Sequence, residues 1–156
     1  FPSAAIRAAY AAGQRAFGEN YAQEGAAKRS ELADLADLRL ALIGPLQSNK
    51  AKLVAETFDA VESIDRAKIA ERLSTLRSSE RSPLDVLVQA NISGEATKSG
   101  CAPEDAVALV QGQFDSAHLT KLAEGAPGHE AGAYRQYTRT ERRNRDRSPA
   151  VAGESS

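Results

Sequence analysis

Leu84-Asp85-Val86-Leu87-Val88-Gln89-Ala90-Asn91-Ile92, LDVLVQANI, is the clearest buried strand in the sequence, rich in Val, Leu and Ile. Near-continuous apolar runs of this kind belong to parallel strands covered on both faces. Upstream, Ala60 to Ile64 and Leu38 to Ile43 (LRLALI) also read as strands, and Ala16-Phe17-Gly18 is a shorter strand before them. Helical patterns fill the gaps. An alanine-rich helix covers Ser3 to Ala12 and stops at Gly13, where a left-handed residue ends helices. Others are expected over Ala22 to Leu35, Lys50 to Phe58 and from Asp65 through Leu76. Pro103-Glu104-Asp105 starts a further one, with proline in the first turn and acids at the positive helix end. The strands begin near residues 16, 38, 61 and 85, a spacing of about 22 to 24 residues. Parallel strands joined by crossover helices require such spacing. The class is α/β with a parallel sheet, and pattern alone leaves a doubly wound sheet and a barrel both open. Four units do not close an eight-stranded barrel, which takes about 250 residues.

The 156 residues have the length of one domain. Net charge is −1, which gives no field to draw nucleic acid, membrane or an acidic partner. One cysteine, Cys101, excludes an internal disulfide and offers no metal cluster. No apolar run approaches the roughly 20 residues of a membrane helix. The start Phe1-Pro2-Ser3 is no signal peptide, and the absence of methionine implies residues upstream. The resulting expectation is a reduced, soluble, cytoplasmic protein.

The character changes after about Gly112. From Ala123 to Ser156 the only aliphatic side chain larger than alanine, proline aside, is Val151, and Arg135, Arg139, Arg142, Arg143, Arg145 and Arg147 form a dense run. Such a segment buries too little apolar area to offset its ordering entropy. Two parts are therefore expected: a folded domain over 1–112 and a disordered tail over 113–156.

In βα architectures ligands gather beyond the carboxyl ends of the strands. There the sequence sets Glu19-Asn20-Tyr21, then Gly44-Pro45-Leu46-Gln47-Ser48-Asn49-Lys50, then Asp65-Arg66, then Asn91 with Ser93 to Gly100, including Lys98. Amides, a few carboxylates and lysines suit a polar or anionic small molecule better than metal hydrolysis or a nucleophilic triad. Simpler readings stand beside this one. Ser48, Asn49 and Asp65 precede helices, and capping explains each. Gly44-Pro45 is more often a turn than a phosphate cradle, and Lys50 and Lys98 are ordinarily solvated. Cys101 precedes a helix N-terminus, which can lower a thiol pKa, but an inert thiol is the better reading. His118 and His129 have no partner at metal spacing, so no metal site is expected.

In combination these blocks are far more specific. Ala12-Gly13-Gln14-Arg15-Ala16-Phe17-Gly18-Glu19-Asn20-Tyr21 with Gln23-Glu24, then Ile43 to Lys50 (IGPLQSNK), Ser63-Ile64-Asp65-Arg66, and Val88 to Ile92 with Lys98-Ser99-Gly100 resemble the YggS/PROSC-type pyridoxal phosphate homeostasis proteins. The resemblance covers roughly residues 2 to 111. It implies a TIM-type (β/α)8 barrel of the alanine racemase N-terminal kind, here incomplete, with about strands two to five. It also implies bound pyridoxal 5′-phosphate, a cytosolic role in buffering and delivering it, possible hand-over to pyridoxal phosphate-dependent apoenzymes, and no established catalysis.

Carried over position by position, Asn20 is the best cofactor contact, with Glu19, Gln47 and Asn49 lining the same mouth. Lys98 matches a lysine that could react with pyridoxal phosphate as a secondary site. The Schiff-base lysine of the family falls just upstream of Phe1, which leaves no catalytic residue in this chain. A signature histidine is replaced by Ala41, and the downstream phosphate-binding segments are absent. Out-of-frame reading of GC-rich codons near residues 112 to 122 would explain the tail. The expected function is pyridoxal phosphate homeostasis, impaired in this chain. An intact relative is expected to be monomeric, and the incomplete barrel to self-associate. The alternatives are a racemase-like enzyme on the same barrel, which needs a second acid/base group, and an RNA-interacting module using the arginine run.

Overall fold

The structure, a computed structural model, describes residues 1–113 and 119–121. Helix α1 (Ser3–Ala11) ends at Gly13, which takes φ of 97°. Gly13 N–H bonds Tyr10 O at 2.9 Å and Gln14 N–H bonds Ala9 O at 3.0 Å, a double closure that satisfies the last carbonyls. There follow β1 (Ala16–Glu19), α2 (Ala22–Glu31), β2 (Arg39–Leu42), a 3-10 turn (Ser48–Lys50) and α3 (Ala51–Thr57). Next come β3 (Ala60–Ile64), α4 (Ala67–Leu76), β4 (Leu84–Val88), α5 (Pro103–Gln113) and β5 (Leu119–Lys121).

The strands form one sheet in the order β1-β2-β3-β4-β5, and every pairing is parallel. That order decides between the two architectures left open above. A doubly wound sheet reverses its strand order at a switch point. Here the order never reverses, so right-handed crossovers put every connecting helix on the same face. Consecutive helices α2, α3, α4 and α5 pack against one another accordingly. The architecture is an α/β barrel sector.

Burial follows the alternation of the strands. In β2, Leu40 and Leu42 are buried while Arg39 and Ala41, on the opposite face, are not. Leu42 pairs with Val61 across to β3, and Leu84 and Val86 continue the buried face on β4. Against it pack Val54 and Phe58 beside α3, and Ile69 and Leu73 of α4, all fully buried. The amino ends of the strands are pinned by charge. Asp59 Oδ2 accepts from Leu40 N–H at 2.8 Å and from Arg29. Arg77, 4% exposed, donates to Ala55 O at 2.6 Å, Phe58 O at 2.9 Å and Ser82 O. Burial lowers its guanidinium pKa.

Several sequence expectations change. The sheet has five described strands, because β5 adds beside β4 with Leu84 opposite Leu119. β5 lies beyond the boundary expected at residue 112, and the chain divides into the units Phe1–Glu124 and Gly125–Ser156. LDVLVQANI is a strand only to Val88; beyond it Ala90 forms a single parallel bridge with Cys101. Helix α2 stops at Glu31, short of Leu35, where Leu35 N–H turns back to Leu32 O at 3.0 Å. Ser48, Asn49 and Asp65 are not caps: the cap positions of the 3-10 turn, α3 and α4 are Gln47, Lys50 and Arg66, none with a side-chain capping bond. His118, His129 and the arginine run, with the expected disorder and frameshift of the tail, lie outside the described residues. Among the described residues no helix is long and apolar enough to cross a membrane.

Candidate functional site at the carboxyl ends of the strands

The rim begins where β1 and β2 run out together. Ile43 N–H donates to Glu19 O at 2.9 Å, extending their ladder by one bond. Immediately beyond, Gly44 packs against the backbone of Asn20, where a Cβ would sit 2.1 Å from the Asn20 carbonyl oxygen. Only glycine permits that approach. Ile43 lies over Gly18 and stays 45% exposed.

After a bend at Gly44 the chain runs through Pro45, Leu46 and Gln47 as a strap that ends in the 3-10 turn at Ser48. Gly44 and Leu46 are buried and Ser48 half-buried, while Pro45, Gln47 and Asn49 are exposed. The even-numbered carbonyls are each held from β3 and α4. Ser63 Oγ donates to Gly44 O at 2.7 Å, Arg66 Nη2 to Leu46 O at 3.2 Å, and Arg72 Nε to Ser48 O at 3.0 Å. The strap leaves the Gln47 and Asn49 side chains exposed, as is Asn20, whose backbone Gly44 touches. None of these three side chains has a hydrogen-bond partner among the described residues, so each amide can donate to and accept from a ligand.

Glu19 does not join them. It is the register partner of Leu42, and so lies on the buried, helix-facing side of the sheet. There its carboxylate is 2.6 Å from Lys28 Nζ, with the side chains 8% and 13% exposed respectively. Its parity with Phe17 was the signal available in the sequence. Lys98 is also engaged, 2.7 Å from Glu95, in a loop that Asn91 Nδ2 ties down through Glu95 O and Lys98 O at 2.9 and 3.2 Å. Cys101 closes that loop, its N–H bonding Gln89 O at 2.9 Å. Burial pushes its thiol pKa up, outweighing a backbone hydrogen bond, so the thiol is inert rather than activated. Sequence reasoning missed the roles of Ser63, Arg66 and Arg72, because each acts on a backbone carbonyl and leaves no motif. Among the described residues no group of His, Cys, Asp or Glu could hold a metal. A shallow depression of about 320 Å³ between α1 and α2, near Ser3, Lys28 and Glu31, lies apart from this rim.

The model of the alanine racemase N-terminal domain matches residues 3–145. The chain belongs to that family. Within it, the chain is one of the YggS/PROSC-type proteins. It is 57% identical over 110 residues to the pyridoxal phosphate homeostasis protein of Pseudomonas aeruginosa, covering 70% of this chain and 47% of that protein. It is 50% identical over 119 residues to the protein of the same name from Haemophilus influenzae, covering 76% and 50%. PipY of Synechococcus elongatus without PLP superposes with a TM-score of 0.71 at 41% identity, over 77% of this chain and 56% of PipY. PipY with PLP bound gives 0.66 at 39% identity, over 81% and 61%. The chain spans about half the length of the curated relatives it matches.

The rim residues fit part of pyridoxal phosphate. Three exposed amides match the polar edge of a substituted pyridine. Of the cations that the sequence sets at the strand ends, Arg66 is paired with Asp65 at 2.5 Å and Lys98 with Glu95 at 2.7 Å, so neither is free to meet the phosphate without leaving its partner.

Proposed function

We propose that the chain binds pyridoxal 5′-phosphate at the mouth formed by Asn20, Gln47 and Asn49, and that it serves intracellular homeostasis of that cofactor, buffering and delivering it without turning over a substrate. The observation that supports this reading is the strap at the carboxyl ends of the parallel strands: it leaves Gln47 and Asn49 exposed and touches the Asn20 backbone through Gly44, in the region where this fold binds ligands. The pyridoxal phosphate-bound form of PipY supports it. Bound there, the cofactor would supply an aldehyde that condenses with amines, while the chain's own part is to orient the ring edge by hydrogen bonds. Glu19 is left out of the ligand set because Lys28 already engages it. Lys98 is kept as a secondary amine site, reached only if it leaves Glu95.

The further terms of the proposal are a cytoplasmic location, pyridoxal phosphate-dependent apoenzymes as recipients, and no nucleic-acid or membrane partner. A polypeptide of this sequence is also expected to self-associate, because the sheet face opposite the helices carries half-exposed Ile43 beside partly exposed Ala41 and Leu87. The test is a spectroscopic titration of the chain with pyridoxal phosphate, repeated with the family's upstream lysine segment restored, alongside an amino-acid racemisation assay. Saturable binding without racemisation supports the proposal. Racemisation supports the enzyme alternative, and absence of binding by both forms refutes the proposal.

A further inference from the structure

We propose that Ser63, Arg66 and Arg72 are positioning residues that preset the strap for its ligand, an inference that rests on the proposed pyridoxal phosphate site. Holding the carbonyls of Gly44, Leu46 and Ser48 from β3 and α4 fixes the course of the segment, along which Gly44 and Leu46 are buried while Gln47 and Asn49 stay exposed. The donors come from β3 and α4, not from the strap, so the rim is set by the neighbouring βα unit. Ser63 is 2% exposed and holds the strap at its start, next to the Gly44–Asn20 contact. Arg66 spans two tasks, pairing with Asp65 through Nη1 and with Leu46 O through Nη2. Arg72, in α4 six residues beyond Arg66, holds the far end through Nε. Without these bonds a strap this exposed would sample many conformations, and ligand binding would carry the cost of ordering it.

Two measurements on the full chain test this. Amide hydrogen exchange over residues 46–50 reads the strap directly, and Lys50 N–H, bonded to Gln47 O at 2.9 Å, reports its closure. Pyridoxal phosphate titration reads the consequence. In R66A and R72A, and more so in the double variant, exchange over the strap should accelerate. Affinity should fall about three- to tenfold per lost bond, on the order of one solvent-exposed hydrogen bond. R66K and R72K, which keep a donor, should recover part of both, and melting should change little because both arginines are surface residues. S63A removes a buried bond and can cost stability, so the arginine variants keep the inference falsifiable. Unchanged strap exchange in the double variant overturns the clamp. A loosened strap with unchanged affinity overturns its role in binding. Failure of the unaltered chain, and of the form with the upstream lysine segment, to bind pyridoxal phosphate overturns the proposed function and the ligand role with it, while exchange still decides the clamp.

Discussion

Gly44 and Asn20 meet backbone to backbone, with room between them for a hydrogen atom and nothing larger: a Cβ on Gly44 would lie 2.1 Å from the Asn20 oxygen and 2.9 Å from its carbonyl carbon. Through this contact the segment after β1 and the strap after β2 become one rim. Neither side of the contact is a flexible side-chain end, so neither can swing away. Gly44→Ala should therefore cost about 1–3 kcal/mol, the usual range for overpacking. It should also separate Asn20 from the strap. Urea denaturation measures the first effect; a loss below about 0.5 kcal/mol would show that the two loops part easily.

Glu19 and Lys28 form a nearly buried ion pair. Removing one partner leaves a charge without compensation, whereas replacing both with apolar groups is often close to neutral. Lys28→Met should destabilise by on the order of 3 kcal/mol, and the double variant Glu19→Leu/Lys28→Met by much less. A double-mutant cycle in denaturant checks the ordering. Equal losses for the single and double variants would contradict a buried pair.

Gly25 sits in α2 directly against Phe58. A Cβ there would come within 2.2 Å of Cζ of a ring that is fully buried. Alanine would improve helix propensity by up to about 1 kcal/mol. Overpacking against an immobile ring costs about 1–3 kcal/mol. Gly25→Ala should accordingly destabilise the chain, and pairing it with Phe58→Leu should restore part of the loss. A stabilised Gly25→Ala protein would disprove the close packing of α2 on Phe58.

Burial raises the Cys101 thiol above its ordinary value of 9.0. The folded state holds this proton more tightly than the unfolded state. The thiol's contribution to stability is thus complete below about pH 9 and is lost as pH rises through the higher folded value. Between about pH 8 and pH 10 the chain should lose more stability than Cys101→Ala, and Cys101 should alkylate more slowly than a free cysteine. Equal pH dependence in the two proteins would remove the basis for this assignment.

Much of the architecture was legible in the sequence. Ala60–Ile64 was readable to the residue from its place at the βα spacing, between the helix ending near Phe58 and the one starting after Asp65. Gly13 announced the end of α1 through its left-handed backbone. The less visible features depended on partners distant in the chain. Strand β5 is three residues long, and it is a strand by virtue of lying beside Leu84 to Val86. Ser48 and Asn49, plausible as caps, were claimed instead by a 3-10 turn at the end of a strap anchored from α4. Asn20, Gln47 and Asn49 were expected from their place after strands, and the structure leaves all three exposed there. Glu19 was misassigned because one residue along a strand changes the face.

By itself the sequence determined that this is a parallel α/β protein, through apolar runs at βα spacing, and which family it belongs to, through four ordered blocks. Those properties are local or cumulative along the chain. Tertiary structure alone decided that the strand order never reverses, that Glu19 faces Lys28, and that the Gly44–Asn49 strap is held by Ser63, Arg66 and Arg72. Each of those depends on hydrogen bonds and packing between residues up to about two dozen positions apart or on the closing order of whole βα units, and no periodicity within a single segment encodes them.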